Sequence, residues 1–435
     1  MSNKVLVSTP IFYSNDELHA GHLYSLYVAS IIARMRLNFG YNVKFTTGLD
    51  QYGIKVQKAA EKAKLDPQTF VDSLEKKFKA LCDKANIKPD KFIMTSTDEH
   101  KKIALHLWEA IQEDLYEKDY EGWYDTNAEA FSVEKTPNSI LLKERCIFFR
   151  LSKYKMQIKE YLHQFCPPSF YTEALKMTEK IEDLCVTRSC KWGIQVNETM
   201  YMYVWIDALS NYLTFPDYLV NGIHVIGKDI LKFHAIYWIG LLLSAKLPLP
   251  KKLIVHGWWI CNQEKMSKSL GNVISAQSLL EEFEPDILRW FFIYNKELES
   301  DSELLQTSII TAKQELANTL GNLVNRILHL AYRKKFTKFT KSISELTKNC
   351  EICMETCNLR KYAQNIFNQA KALNQEIEAK KVWELDNVFA REFFLDIIPK
   401  VDELIDLISP ITPNFAEKWK AQIERIGQET PTPVI

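Results

Sequence analysis

Hydrophobic and polar positions follow two regimes along this chain. Lys4–Thr9 is an apolar run of strand length, and Gly21–Phe39, apolar on most faces and closed by Gly40, predicts a long helix. Asn42–Thr47, where Val43 and Phe45 alternate with polar neighbours, predicts a second strand. Strand, helix and strand in that order predict a βαβ unit, hence a parallel sheet with ligands at the carboxyl ends of its strands. Further on, Gly222–Ile226 and Lys252–His256 read as strands bracketing an apolar helix, Ile230–Ala245, which predicts a second βαβ unit of the same sheet.

Between the two units, residues 114–200 mix aromatic, charged and Pro-containing pieces (Tyr120–Tyr124, Pro137, Pro167, Pro168) and predict an inserted subdomain. From Glu297 onward glycine and strand-like alternation nearly vanish, and the segment, rich in Leu, Ile, Lys and Glu, predicts a separate helical bundle. Composition narrows the class. At 46% hydrophobic and 25% charged residues, the chain of 435 is an ordinary globular sequence, without the bias of disordered or membrane proteins. Its longest apolar run, Phe233–Ala245, is too short to span a bilayer and contains His234; strand-like residues beginning at Val5 leave no room for a targeting peptide. Lysine plus arginine balance aspartate plus glutamate at 55 each, so any nucleic-acid surface must be a local basic face. Nine cysteines without framework spacing fit reduced thiols, and the expectation is a cytoplasmic protein, with an organelle as the alternative.

Two strings carry candidate chemistry. His19-Ala20-Gly21-His22 opens the first long helix, where free N–H groups and the helix dipole attract phosphate, and the two imidazoles, three residues apart, add donors on one face. Gly21 allows close backbone approach. Lys265-Met266-Ser267-Lys268-Ser269 supplies two ammonium groups with interleaved hydroxyls, suited to the charge that accumulates as pyrophosphate leaves an α-phosphorus. Taken singly, the first string also fits plain surface histidines or two metal ligands without a third, and the second a solvated basic loop.

Together and in this order, the two strings resemble the signatures of the class I aminoacyl-tRNA synthetases. Thr9-Pro10-Ile11-Phe12-Tyr13, Thr47-Gly48-Leu49-Asp50, Tyr203-Val204-Trp205-Ile206-Asp207-Ala208-Leu209 and Asp229-Ile230-Leu231-Lys232-Phe233-His234 further resemble the methionyl-tRNA synthetases. The resemblance implies an α/β fold: a split Rossmann-like catalytic domain with parallel sheet and inserted subdomain, followed by an all-α helical bundle. The expected divisions are 1–113 and 201–257 for the two halves of the catalytic domain, 114–200 for the insertion, 258–296 for a region bearing the lysine string, and 297–435 for an anticodon-binding domain.

By the same resemblance, His19, Gly21, His22, Gly227, Asp229, Lys265, Ser267 and Lys268 bind ATP, with His19, His22, Lys265 and Lys268 catalytic. Methionine needs a carboxylate for its ammonium group, an apolar sleeve and a weak donor for its thioether. Asp50 is assigned to the ammonium; Tyr13, Trp205, Ala208, Leu209 and Tyr212 to the sleeve; Ile11 to backbone contacts; His234 with Tyr212 to the sulfur. Read without the family, each of these aromatics fits ordinary core. Asn322 and Arg326, four apart on a predicted helix, and Trp383 resemble anticodon-reading elements, where an aromatic stacks on an unstacked base. Solvent-facing polar residues and a helix plug are the plainer alternatives.

The resemblance implies L-methionine, ATP with Mg2+, and the acceptor end and CAU anticodon of tRNA(Met) as partners, and a monomer. It breaks in two places. Cys146, Cys166, Cys185 and Cys190 make no C-x-x-C pair of the family's zinc knuckle, so no structural zinc is expected; Cys350, Cys353 and Cys357 read as buried thiols on one helix face or as a metal-like spacing. Asp50-Gln51-Tyr52-Gly53 also places Tyr52 where the family has a histidine. Synthetases for leucine, isoleucine or valine are set aside because no long editing insertion is present, and the cysteine enzyme because no thiol-reading metal site is visible. A catalytically silent tRNA-binding paralogue remains the rival from another class.

Overall fold

The computed structural model describes residues 3–125, 130–132, 139–188, 190–261, 264–265, 273–337 and 345–435. The chain divides into two compact units, Met1–Ala29 with Asn42–His256 and Ser30–Tyr41 with Gly257–Ile435.

The first unit is built on a parallel sheet. Its strands are β1 (Lys4–Tyr13), β2 (Asn42–Asp50), β3 (Lys91–Met94), and, after the insertion, β10 (Ile223–Gly227) and β11 (Lys252–His256). They lie in the order β11-β10-β1-β2-β3. From β1 the chain first builds toward β3 and later returns to build the other way, so the order reverses between β1 and β10. Ligands of such sheets bind at the carboxyl ends of the strands at this point. Val5, Leu6 and Val7 are all buried, as befits a strand covered on both faces. The register places Tyr13 opposite Asp50 at the carboxyl edge. Ser25 and Nε2 of His256 are hydrogen-bonded at 2.7 Å, and Tyr24 meets the same imidazole edge-on, tying the helix Ala20–Asn38 to the end of β11.

The expected single helix over Ile230–Ala245 is three pieces: a 3-10 turn Lys228–Ile230, a π-helical stretch Phe233–Trp238 and an α-helix Ile239–Ser244. A π turn inserts an extra residue and rotates the side chains that precede it, and such turns are frequent at functional sites. Apolar composition, which is all that a buried helix displays, carries no sign of this change of pitch.

The insertion is an antiparallel sheet of β4 (Leu115–Asp125), β5 (Ala130–Ser132), β6 (Ser139–Phe149) and β7 (Leu184–Cys185) in the order β5-β4-β6-β7, followed by the short pair β8 (Thr187–Arg188) and β9 (Tyr201–Met202). Helices Lys155–Phe165 and Pro168–Glu179 fill the connection between β6 and β7. Asp114 joins the insertion to the rest of its unit by accepting from Lys153 Nζ and Ser244 Oγ, both at 2.7 Å, and from the Tyr154 hydroxyl. Burial alone would raise this carboxyl. The three donors outweigh it and hold Asp114 below the usual carboxylate range.

In the second unit, Trp259–Cys261 pairs antiparallel with Glu264–Lys265 and parallel with Ser302–Glu303. The helices Gln306–Leu316, Asn322–Arg333, Glu345–Thr356, Leu359–Ala379, Asn387–Ile408 and Pro413–Glu424 follow. Beyond Glu297 the all-helical expectation is thus interrupted only by the short strand Ser302–Glu303 among the described residues. Asp386 caps the helix Asn387–Ile408, its Oδ1 accepting from the Val388 and Phe389 N–H groups at 2.9 and 3.0 Å. Among the described residues no helix is long and apolar enough to cross a membrane.

Candidate active site

At the helix start the two histidines are locked against the backbone. The Gly21 N–H donates to Nδ1 of His19 at 3.0 Å, and the His19 N–H donates to Nδ1 of His22 at 3.1 Å. The ring centroids are 3.9 Å apart. With both Nδ1 lone pairs occupied, each neutral ring carries its proton on Nε2, which makes Nε2 a hydrogen-bond donor beside the first turn of the helix. A Cβ on residue 21 would stand 2.8 Å from Cε1 of His19, so glycine is what lets the imidazole fold over its own backbone. Phe12 supports His22 edge-on at 5.0 Å.

Across the carboxyl edge, Asp50 ends β2 and is 3% exposed. Its carbonyl accepts from the Ser14 N–H at 2.8 Å, closing the ends of β1 and β2 together. Tyr13 meets Trp205 edge-on at 6.3 Å, and Trp205 stacks on Phe233 with centroids 3.6 Å apart. His234 stands perpendicular to Trp205 at 6.2 Å. Ile11, Ala208, Leu209 and Tyr212 belong to the same buried cluster. The structure therefore brings the expected methionine-site residues Ile11, Tyr13, Trp205, Ala208, Leu209, Tyr212 and His234 into one apolar cluster. It adds Phe233, which sequence reasoning left out although it adjoins His234 in the same string.

The Tyr212–His234 pair departs from expectation in one respect. Nδ1 of His234 faces the Ile230 carbonyl at 3.0 Å and must carry the proton, so Nε2 accepts from the Tyr212 hydroxyl at 2.7 Å. Both donors of the pair are thus committed within the protein, and neither is left to the thioether. Burial pushes His234 down to about 4, the Ile230 carbonyl working against it, and raises the Tyr212 phenol; both groups are neutral at physiological pH.

Around Gln51 and Tyr52, which follow Asp50 in the chain, lies a second buried group that sequence reasoning missed. His100 Nε2 contacts Asp207 Oδ1 at 2.7 Å, both residues being nearly fully buried, and burial raises the Asp207 carboxyl while His100 opposes it. Gln51 accepts from the Ser96 N–H and hydroxyl at 3.2 and 2.8 Å, and the Trp192 indole donates to the Gln51 carbonyl at 2.6 Å. Tyr52 packs edge-on against Trp192 at 5.2 Å. Burial, with Asp207 and Asp98 adding to it, raises the Tyr52 phenol, so the departure from the family histidine installs a group that stays neutral. Partners this far apart in sequence leave no local signal.

Gly227 ends β10, and a Cβ there would meet Asp229 Oδ1 at 2.7 Å, so the Asp229 carboxylate lies over the Gly227 backbone. Of the lysine string, Lys265 falls in a described strand, whereas Met266, Ser267, Lys268 and Ser269 lie outside the described residues. In the second unit, Asn322 and Arg326 turn toward one neighbour: Asn322 contacts Asn374 at 3.5 Å and Arg326 pairs with Glu378 at 2.7 Å, both on Leu359–Ala379. Trp383 is 43% exposed in the turn after that helix and does not plug two helices.

Cys146 and Cys185 pack with Phe148 in a small apolar cluster, and Cys166 joins the main core. Cys350, Cys353 and Cys357 are buried, and burial pushes the Cys350 thiol up to about 12 and raises Cys353 as well. Among the described residues no three His, Cys, Asp or Glu side chains form a metal-binding group.

A parallel sheet whose carboxyl edge carries a histidine-flanked helix start and a buried carboxylate fits a nucleotide-dependent activating enzyme. The sequence model described as tRNA synthetases class I (M) matches residues 5–139 and 132–328, and the chain belongs to that family. Its relatives are methionine–tRNA ligases. That of Rickettsia prowazekii (strain Madrid E) is 33% identical over 475 residues, covering 97% of this chain and 93% of its own. Ligase 1 of Bacillus cereus is 32% identical over 436 residues, covering 87% of this chain and 66% of its own. The structure of Mycobacterium tuberculosis methionyl-tRNA synthetase in complex with methionyl-adenylate superposes with a TM-score of 0.89 at 28% identity, covering 100% of this chain and 99% of that one.

Proposed function

We propose that this chain activates L-methionine with ATP and transfers it to tRNA(Met), using the residues assigned above. The observation that carries this reading is the buried Asp50 carboxylate set at the same sheet edge as the Tyr13–Trp205–Phe233 sleeve. The carboxylate takes the substrate ammonium, the sleeve takes the side chain, and Ile11 offers backbone groups. With both donors of the Tyr212–His234 pair used internally, the thioether is read mainly by contact of a polarisable sulfur with aromatic rings.

ATP enters with Mg2+ on its phosphates. The Nε2–H groups of His19 and His22 bind phosphate oxygens, the dipole of the helix they open adds to the attraction, Gly21 keeps the approach open, and the Gly227–Asp229 turn holds the ribose. A carboxylate oxygen of methionine attacks the α-phosphorus in line, and the bond to pyrophosphate breaks. Lys265, Ser267 and Lys268 neutralise the departing charge, leaving methionyl-adenylate. A terminal hydroxyl of tRNA then attacks the methionyl carbonyl, and AMP leaves with the bonding electrons.

The same reading assigns Asn322, Arg326 and Trp383 to the CAU anticodon, keeps the division into split catalytic domain, insertion, string-bearing region and helical domain, and describes a cytoplasmic monomer without structural zinc. Amino-acid-dependent ATP–pyrophosphate exchange across the twenty amino acids tests it. Exchange with methionine is expected; exchange with leucine instead, or none, overturns it.

A further inference from the structure

His224 is the second residue of β10, fully buried, and part of no assigned site. Its surroundings determine its protonation and its orientation. The Trp238 indole N–H donates to Nε2 at 3.2 Å. An indole nitrogen is a donor only, so Nε2 must present its lone pair, and the neutral ring carries its proton on Nδ1. That proton is given to Ser8 Oγ at 2.7 Å. Ser8 is fully buried on β1 and stands in register with His224 across the sheet. Both ring nitrogens are thus used, by partners on different elements, and the plane of the imidazole cannot turn without losing one of them.

On that plane lies Tyr212, with ring centroids 4.0 Å apart and planes 31° from parallel. Trp238 flanks the same phenol at 5.5 Å, so His224 and its hydrogen-bond donor both border the ring whose hydroxyl bonds His234. A tyrosine turns about two side-chain bonds, and the position of its hydroxyl depends on what its ring rests upon. A plain apolar neighbour would fill the volume. Only a ring held at both nitrogens resists rotation. A charged imidazole here would put N–H against N–H at Trp238, and burial together with the nearby His234 disfavours that form.

We propose that His224 is a positioning residue for amino-acid recognition: clamped between Ser8 and Trp238, it fixes the Tyr212 ring and thereby the Tyr212–His234 wall of the methionine pocket. The proposal rests on the assignment of Tyr212 and His234 to that pocket. It also makes Ser8, on the central strand beneath the nucleotide-binding edge, a specificity-determining position although it touches no substrate.

The test is a double-mutant cycle in ATP–pyrophosphate exchange on the full chain, with S8A and Y212F singly and together. Ser8→Ala replaces the hydroxyl by hydrogen, a change small enough to keep the fold while removing the acceptor for Nδ1. We expect S8A to raise KM for methionine about 3- to 10-fold, the scale of one buried hydrogen bond. KM for ATP and kcat should hold within about twofold, and the Y212F background should abolish the effect, because the wall no longer depends on the hydroxyl. A merely structural role would shift both substrates or kcat. If Y212F raises KM for methionine while S8A leaves it unchanged, or if the two effects simply add, the positioning role is overturned and the pocket assignment stands. If Y212F itself leaves KM for methionine unchanged, the pocket assignment falls and the proposal with it. A W238F variant, which withdraws the donor to Nε2, is expected to repeat the S8A pattern; an effect on KM for ATP instead contradicts it.

Discussion

Trp205 lies flat against Phe233, with ring centroids 3.6 Å apart and planes only 3° from parallel. The indole is therefore held from one side by a ring in the π-helical stretch and met from another by the edge of Tyr13. The two residues come from different elements, and neither alone makes a wall. Replacing Phe233 by Leu keeps an apolar filler but removes the flat surface. We expect KM for methionine in exchange to rise about 2- to 10-fold, in keeping with roughly 0.5–1.5 kcal/mol for an aromatic pair beyond its buried area. An unchanged KM would remove Phe233 from the pocket.

The helix start should be intolerant of even one methyl group. In Gly21→Ala the added Cβ would be 2.8 Å from His19 Cε1, so the imidazole must leave the position in which its Nδ1 accepts from the residue 21 N–H. Exchange should fall by on the order of a hundredfold, comparable with loss of a preorganised donor to transition-state charge. Methionine binding measured by equilibrium dialysis should survive. Lys268→Ala should behave alike, losing activation and keeping methionine. Loss of methionine binding in either variant would contradict the assignment of these positions to phosphate.

Acid should destabilise the first unit through its buried histidines. Unfolded, an imidazole takes its proton near 6.5; folded, His234 does so only at about 4, because burial disfavours the charge. Between those values the unfolded state binds the extra proton, so stability present above pH 6.5 is lost as pH falls toward 4. The steepest loss is about 1.4 kcal/mol per pH unit for each such histidine. Denaturant unfolding between pH 7 and 4.5 should show His234→Asn with a slope shallower by about one proton. An identical slope would mean that His234 is not held neutral.

Trp383 should separate the two half-reactions. Trp383→Ala should raise KM for tRNA in aminoacylation by on the order of tenfold, the scale of one lost base stack, and leave exchange untouched. Unaltered aminoacylation would end the anticodon assignment.

The half-exposed Trp383 and the histidine pair illustrate what local sequence carries. A short apolar run, a long apolar helix closed by Gly40 and an alternating strand specify a βαβ unit, because period and punctuation are properties of neighbours in sequence. The histidine and lysine strings are legible for the same reason, since the residues of each stand within five positions of one another. Family-like strings likewise placed Tyr13, Asp50, Trp205 and His234 on a common list before any contact was known.

Tertiary structure alone decided which partners those residues acquired. The π-helical turn at Phe233–Trp238 lies in a stretch that is apolar apart from His234, where periodicity carries no information about pitch. The His100–Asp207 pair spans 107 residues and the Ser8–His224 pair 216, distances over which spacing predicts nothing. The protonation of His234 follows from the Ile230 carbonyl and from burial, both consequences of packing. Sequence by itself determined the strand order's raw material and the chemical groups; packing determined which nitrogen carries each proton, because that depends on neighbours brought together only by the fold.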